Sequence, residues 1–188
     1  MLPNFRIAEA GTVSDLFRKK DIDTFYAAAR HIHNLPYGRI KRPSKPHTVI
    51  TEGKGTCSTK HSCLKLLAEE NNINSIELNM AIFALNAQNT PQAKKILETY
   101  RLPYLLEAHV YLSYAGERYD LTHPDTSAKP WEKDVLIEIA IDTDQIGDWK
   151  KQYHQSVLEE WLKRDQLDYT LEELWRIREN CIAALEDS

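Results

Sequence analysis

The sequence predicts an α+β fold, because helical periodicity marks both ends, a mostly antiparallel run of strands lies between them, and no βαβ rhythm of crossovers is present. Ser14 to Lys20 reads as a helix, and Asp21 to about Asn34 as a second, with Phe25, Ala28, Ala29 and Ile32 at i, i+3, i+4 and i+7. Leu35-Pro36-Tyr37-Gly38 ends it. A basic, proline-bearing loop runs to Pro46, Thr48-Val49-Ile50 reads as a short strand, and Gly53-Lys54-Gly55 breaks regular structure. Thr56 to about Asn71 is the next helix, with an apolar stripe of Leu64, Leu66, Leu67 and Ala68, which puts Cys57 in its first turn or at its N-cap. Ile76 to Leu85 reads as one buried strand. Thr90-Pro91 opens a helix to about Tyr100, with the threonine hydroxyl as N-cap. Ala108–Tyr114 and Glu117–Thr122 form a hairpin about Ala115-Gly116, Val135 to Ile141 is a further strand, and Ile146–Arg164 and Thr170–Leu185 are helices. Thr170-x-x-Glu173 is a capping box for the last.

A chain of 188 residues fits one domain, 1–188, with its core at about 36–141 and a helical pair at about 145–186. The composition, 42% hydrophobic and 28% charged, is that of a globular chain. No apolar run is long enough for a membrane helix and the first residues lack the pattern of a signal peptide, so the expected location is cytoplasmic, with no membrane partner. A net charge of −4 argues against a general nucleic-acid binder. Locally the sign reverses: between Pro36 and Lys65, Arg39, Lys41, Arg42, Lys45, Lys54, Lys60 and Lys65 are opposed only by Glu52, either as a solvated loop or as a basic mouth for an anionic ligand. The cysteine count, 3, is odd, so a disulfide framework is not expected.

The strongest local signal is Gly53-Lys54-Gly55-Thr56-Cys57-Ser58-Thr59-Lys60-His61. A cysteine at a helix N-terminus meets unpaired N–H groups and the positive end of the helix dipole, which favour the thiolate and supply donors for an oxyanion. The glycines would let a substrate carbonyl approach the backbone. The commonest place for a free cysteine is the core, so a nucleophile also needs a base and a group to orient that base. The hairpin offers both. With Ala115-Gly116 as its loop, His109 faces Thr122 and Tyr111 faces Asp120, so His109 and Asp120 are diagonal neighbours at roughly 7–8 Å on one sheet face. Ala108, Val110 and Leu112 take the opposite, apolar face.

Gly55-x-Cys57 opening a helix, His109 in a strand and Asp120-Leu121-Thr122 in the next resemble the transglutaminase-like superfamily of papain-like cysteine enzymes, over about residues 53–124. The resemblance implies a papain-like core, Cys57 as nucleophile, His109 as general base then acid, and Asp120 as the orienting carboxylate. It also implies an amide or peptide substrate, with Gly55, Thr56 and Tyr111 as substrate contacts; no cofactor or metal is expected, and no acidic loop resembles a calcium-binding pattern. Val110 stands where the family often has an aromatic residue, and Leu121 where it often has proline.

His61 competes with His109 as base. It lies four residues after Cys57, about 40° around the helix, but has no evident carboxylate partner nearby in sequence and reads as a packing residue. Cys63 and Cys181 read as core. A different chemistry would join Cys57, His61, His109, Asp120 and His123 around zinc, although their spacing matches no compact zinc pattern. A third reading is an inactive peptide-binding module on the same fold.

Overall fold

The computed structural model describes residues 1–124 and 130–186 and shows an α+β architecture. Two helices open it, α1 (Thr12–Arg18) and α2 (Phe25–His33). Both are capped by side chains, but differently. At α1 the carboxylate of Glu70, distant in sequence, accepts from the N–H groups of Val13 at 2.9 Å and Ser14 at 2.7 Å. Gly11 precedes that cap because a Cβ there would sit 2.4 Å from the Glu70 carboxyl carbon. At α2 the Thr24 hydroxyl accepts from the Ala27 N–H, and Phe25, Ala28, Ala29 and Ile32 are buried as the periodicity requires.

The segment expected as a strand at 48–50 is helical instead: a 3-10 turn, Pro46–Thr48, runs into α3 (Val49–Glu52). Here β-branched residues lose to local hydrogen bonding. Thr48 N–H donates to Lys45 C=O, Gly53 N–H donates to Val49 C=O, and Gly53 ends the turn at φ +69°, the left-handed conformation glycine adopts without strain. Helix α4 (Cys57–Glu70) follows, packed against α1, α2, α3 and the 3-10 turn.

Strands β1 (Glu77–Leu85), β2 (Leu105–Tyr114), β3 (Glu117–Tyr119) and β4 (Val135–Ala140) form an antiparallel sheet in the order β3-β2-β1-β4. The expected register holds, with Leu112 opposite Tyr119, Ser113 opposite Arg118 and Tyr114 opposite Glu117. The second hairpin strand, however, stops at Tyr119 and not at Thr122, so the expected strand pairs Tyr111–Asp120 and His109–Thr122 are not part of it. Strand β2 also lacks the expected single apolar face: Glu107 and Tyr111 are buried, as are Ala108, Val110 and Leu112, because both faces of the strand are covered. Between β1 and β2, a 3-10 turn, Pro91–Ala93, leads into α5 (Lys94–Thr99). Its expected threonine cap is absent, since the Thr90 hydroxyl donates to the Asn89 side chain. Helices α6 (Asp148–Asp165) and α7 (Leu171–Glu186) close the chain, the latter with the Thr170–Glu173 capping box intact.

The contacts divide the chain into two compact units. The first comprises Met1–Met80, the described part of Val110–Ser127, and Ile139–Gly147, with Phe17, Phe25, Ile32, Leu64, Leu67 and Leu78 in its core. The second comprises Ala81–His109 and the described parts of Ala128–Glu138 and Asp148–Ser188, with Leu85, Leu97, Leu105, Leu158, Leu174 and Ile177 in its core. No helix among the described residues is long and apolar enough to cross a membrane.

Candidate functional site

Cys57 is the first residue of α4, as the glycine turn before it predicts, and all three cysteine thiols are reduced. Thr56 is the N-cap. Its N–H donates to the Thr59 hydroxyl at 3.0 Å, and the two hydroxyls meet at 3.4 Å in a capping box. The turn before α4 is fastened to the chain that follows α2: Gly55 N–H donates to Pro36 C=O at 3.2 Å, and Gly38 N–H donates to Gly55 C=O at 3.3 Å. A Cβ on Gly55 would lie 2.9 Å from Lys60 Cγ and 3.1 Å from both Thr59 Oγ1 and Val49 Cγ1. The absent side chain at Gly55 is therefore what lets this turn pack against α4 and Val49.

The first two turns of α4 have no solvated face. Every residue from Cys57 to Leu64 is buried, although Cys57-Ser58-Thr59-Lys60-His61-Ser62 carries mostly polar side chains. A polar helix end tolerates burial only if its side chains find partners. Ser62 donates to Thr143 C=O at 3.2 Å. Lys60, 0% exposed, donates from Nζ to the carbonyls of Leu35 at 2.5 Å, Thr122 at 2.7 Å and His33 at 3.5 Å. His61, equally buried, has Nδ1 2.8 Å from Cys57 C=O and accepts the Leu121 N–H on Nε2 at 2.7 Å. Because Nε2 is an acceptor, the proton sits on Nδ1 and the ring is neutral.

These bonds explain where β3 ends. Beyond Tyr119 the backbone leaves the ladder: Leu121 N–H goes to His61 and Thr122 C=O goes to Lys60, so Asp120-Leu121-Thr122 docks on α4. Asp120 Oδ1 accepts from the Thr122 N–H at 3.0 Å and its hydroxyl at 2.5 Å, and lies 3.8 Å from His61 Nε2. His61 thus has a carboxylate neighbour that its sequence surroundings do not reveal. Burial pushes the Lys60 ammonium down to about 8, against the opposing effect of Asp120 and Cys57, which favour its charged form. Lys60 is therefore no part of an exposed basic mouth, whereas Arg39, Lys41, Arg42, Lys45 and Lys54 are exposed.

His109 belongs to the second unit, where its ring lies 4.7 Å from that of Trp131 and edge-on to Phe83 at 6.3 Å, both of which are buried. In the first unit Tyr111 is fully buried with the Arg118 guanidinium 5.9 Å from its ring centre, and His123 stacks on Tyr37 at 5.0 Å. Among the described residues, no group of three or more His, Cys, Asp or Glu side chains could hold a metal ion. Both nitrogens of His61, one of the residues considered for zinc, are spent on backbone groups.

Lys60, Phe83 and Trp131 carry no local mark in the sequence as neighbours of these residues. Lys60 reads as one more charge in a basic stretch, since its acceptors lie 25, 27 and 62 residues away. Nothing local marks Phe83 or Trp131 as neighbours of a histidine.

No family model, curated protein or solved structure compared with the chain matches it.

Proposed function

We propose that the protein is a cysteine-dependent acyl-transfer enzyme of transglutaminase-like type on a papain-like core, hydrolysing an amide or peptide bond. The observation that carries this reading is Cys57 as the first residue of α4, on a helix end that also anchors the Asp120 segment through Lys60 and His61. A thiol at that position has the helix dipole behind it and backbone N–H donors beside it. His109 takes the thiol proton, and Asp120 orients and steadies the imidazolium. Cys57 Sγ attacks the amide carbonyl, and the tetrahedral oxyanion is met by N–H groups of the helix end. As the C–N bond breaks, His109 returns the proton to the departing amine, leaving a thioester. Water, deprotonated by His109, then cleaves the thioester and releases the acid and the Cys57 thiol. His61 is spent on backbone groups and is not the base.

Labelling with an acyl-type electrophile followed by peptide mapping tests the reading. The label is expected on Cys57, with slower labelling after His109→Ala. Labelling confined to Cys63 or Cys181, or no effect of the His109 change, overturns it.

A further inference from the structure

Lys60 stands three residues after Cys57 on α4, the spacing at which helix side chains are neighbours. Its ammonium is wholly buried and directed at three backbone carbonyls, of His33, Leu35 and Thr122. That set of acceptors favours the charged form. An ammonium has three donors and no acceptor, whereas a neutral amine would turn a lone pair on one of the carbonyl oxygens. Carbonyl dipoles satisfy the donors without neutralising the charge, and a buried cation is stable only with an anion close by. Among the described residues, the Asp120 carboxylate and Cys57, one turn back on the same helix, both favour the charged form of Lys60. Coupling of this kind is reciprocal: if ionised Cys57 holds the proton on Lys60, then charged Lys60 holds the proton off Cys57.

We propose that Lys60 is a positioning residue that acts through its charge, serving as the buried counter-ion that favours Cys57 as a thiolate while its hydrogen bond to Thr122 C=O holds the Asp120 segment on the same helix. This rests on the reading of Cys57 as nucleophile and adds what sets its ionisation. It separates two roles in the site. Lys60 provides a standing charge that favours the thiolate, while His109 accepts the proton that Cys57 gives up, holds it in the resting pair and passes it to the departing amine.

The test is the pH dependence of Cys57 alkylation by iodoacetamide, followed by peptide mapping in the wild-type chain and in Lys60→Met, which keeps the length of the side chain and removes its charge. The midpoint of the alkylation profile is expected to lie well below the free-thiol value of about 8.5 in the wild type. In Lys60→Met it rises by a pH unit or more, slowing alkylation about tenfold or more near pH 6 while the rate at high pH is retained. A purely structural Lys60 would change melting and accessibility without moving the midpoint. Since Lys60→Met strips three carbonyls of their donor and can unfold the chain, a second measurement uses Cys57→Ala. In NMR titrations of 13C-labelled lysine, the Lys60 amine is expected to lose its proton at lower pH in Cys57→Ala than in the wild type. The inference is overturned by a wild-type midpoint at the free-thiol value, by an unmoved midpoint in folded Lys60→Met, or by a Lys60 titration indifferent to Cys57→Ala. If the midpoint shifts as expected but Cys57 ignores acyl electrophiles, the ion pair stands and the acyl-transfer reading falls.

Discussion

Three cysteines of one chain meet three environments. Cys63 lies on α4 at 0% exposure, where burial and the nearby Glu70 push its thiol far above the ordinary value. Cys181, buried on α7, is pushed up to about 11 by burial, with Glu107 acting in the same direction. Only Cys57 combines a helix N-terminus with a buried ammonium one turn away. Limiting iodoacetamide at mildly acidic pH is therefore expected to modify Cys57 while Cys63 and Cys181 remain unmodified until the chain is denatured, as peptide mapping would read. Equal labelling of Cys63 in the folded protein would contradict these environments. The position of Cys57 is legible in the sequence because glycines and a capping hydroxyl are short-range signals. Lys60 is not, since nothing in Ser58-Thr59-Lys60-His61 states whether water or three distant carbonyls receive its protons.

At the scale of elements, two junctions carry specific costs. The turn before α4 requires glycine, and Gly55→Ala is expected to destabilise the fold by about 1–3 kcal/mol in urea titration, because the new methyl meets Lys60, Thr59 and Val49 together. In the second unit, Arg178 of α7 grips Glu107 of β2 with two bonds of 2.8 and 2.7 Å. Burial alone would push the Glu107 carboxyl up, but the Arg178 guanidinium, helped by its hydrogen bonds, holds it at about 2 against an ordinary value of 4.5. Between those values the unfolded chain binds the proton and the folded chain does not. The pair's contribution is thus present above pH 4.5 and lost as the pH falls from 4.5 through 2, by about 3 kcal/mol in all. Glu107→Gln is expected to flatten that acid slope in urea titrations and to cost about 3–5 kcal/mol near neutrality, because it strands the Arg178 charge. An unchanged slope would show that other carboxylates govern acid sensitivity. Only part of the hairpin is readable in the sequence. Its register follows from the two-residue turn, but the end of β3 follows from backbone groups claimed by His61 and Lys60.

Over the whole molecule the net charge is −4, yet Arg39, Lys41, Arg42, Lys45 and Lys54 are exposed along the chain that bonds to Gly55, two residues before Cys57. An anionic reagent should sense that field and a neutral one should not. Raising ionic strength from about 0.01 to 0.1 M shortens the screening length from about 30 to 10 Å and is expected to slow iodoacetate at Cys57 several-fold while leaving iodoacetamide unchanged. Parallel slowing of both reagents would remove the basic stretch from the encounter. The α+β class, the helices before and after the strands, the hairpin register next to its turn and the cysteine at a helix start are all readable in the residues themselves. Each of those follows from periodicity, caps or turns, whose physics operates within a few residues. Contacts within the folded chain, in contrast, make 48–50 coil into a helix, draw a polar helix end into the interior and bring Asp120 beside His61. Those outcomes depend on where buried donors and acceptors find partners, and partners far apart in the chain leave no periodic trace in it.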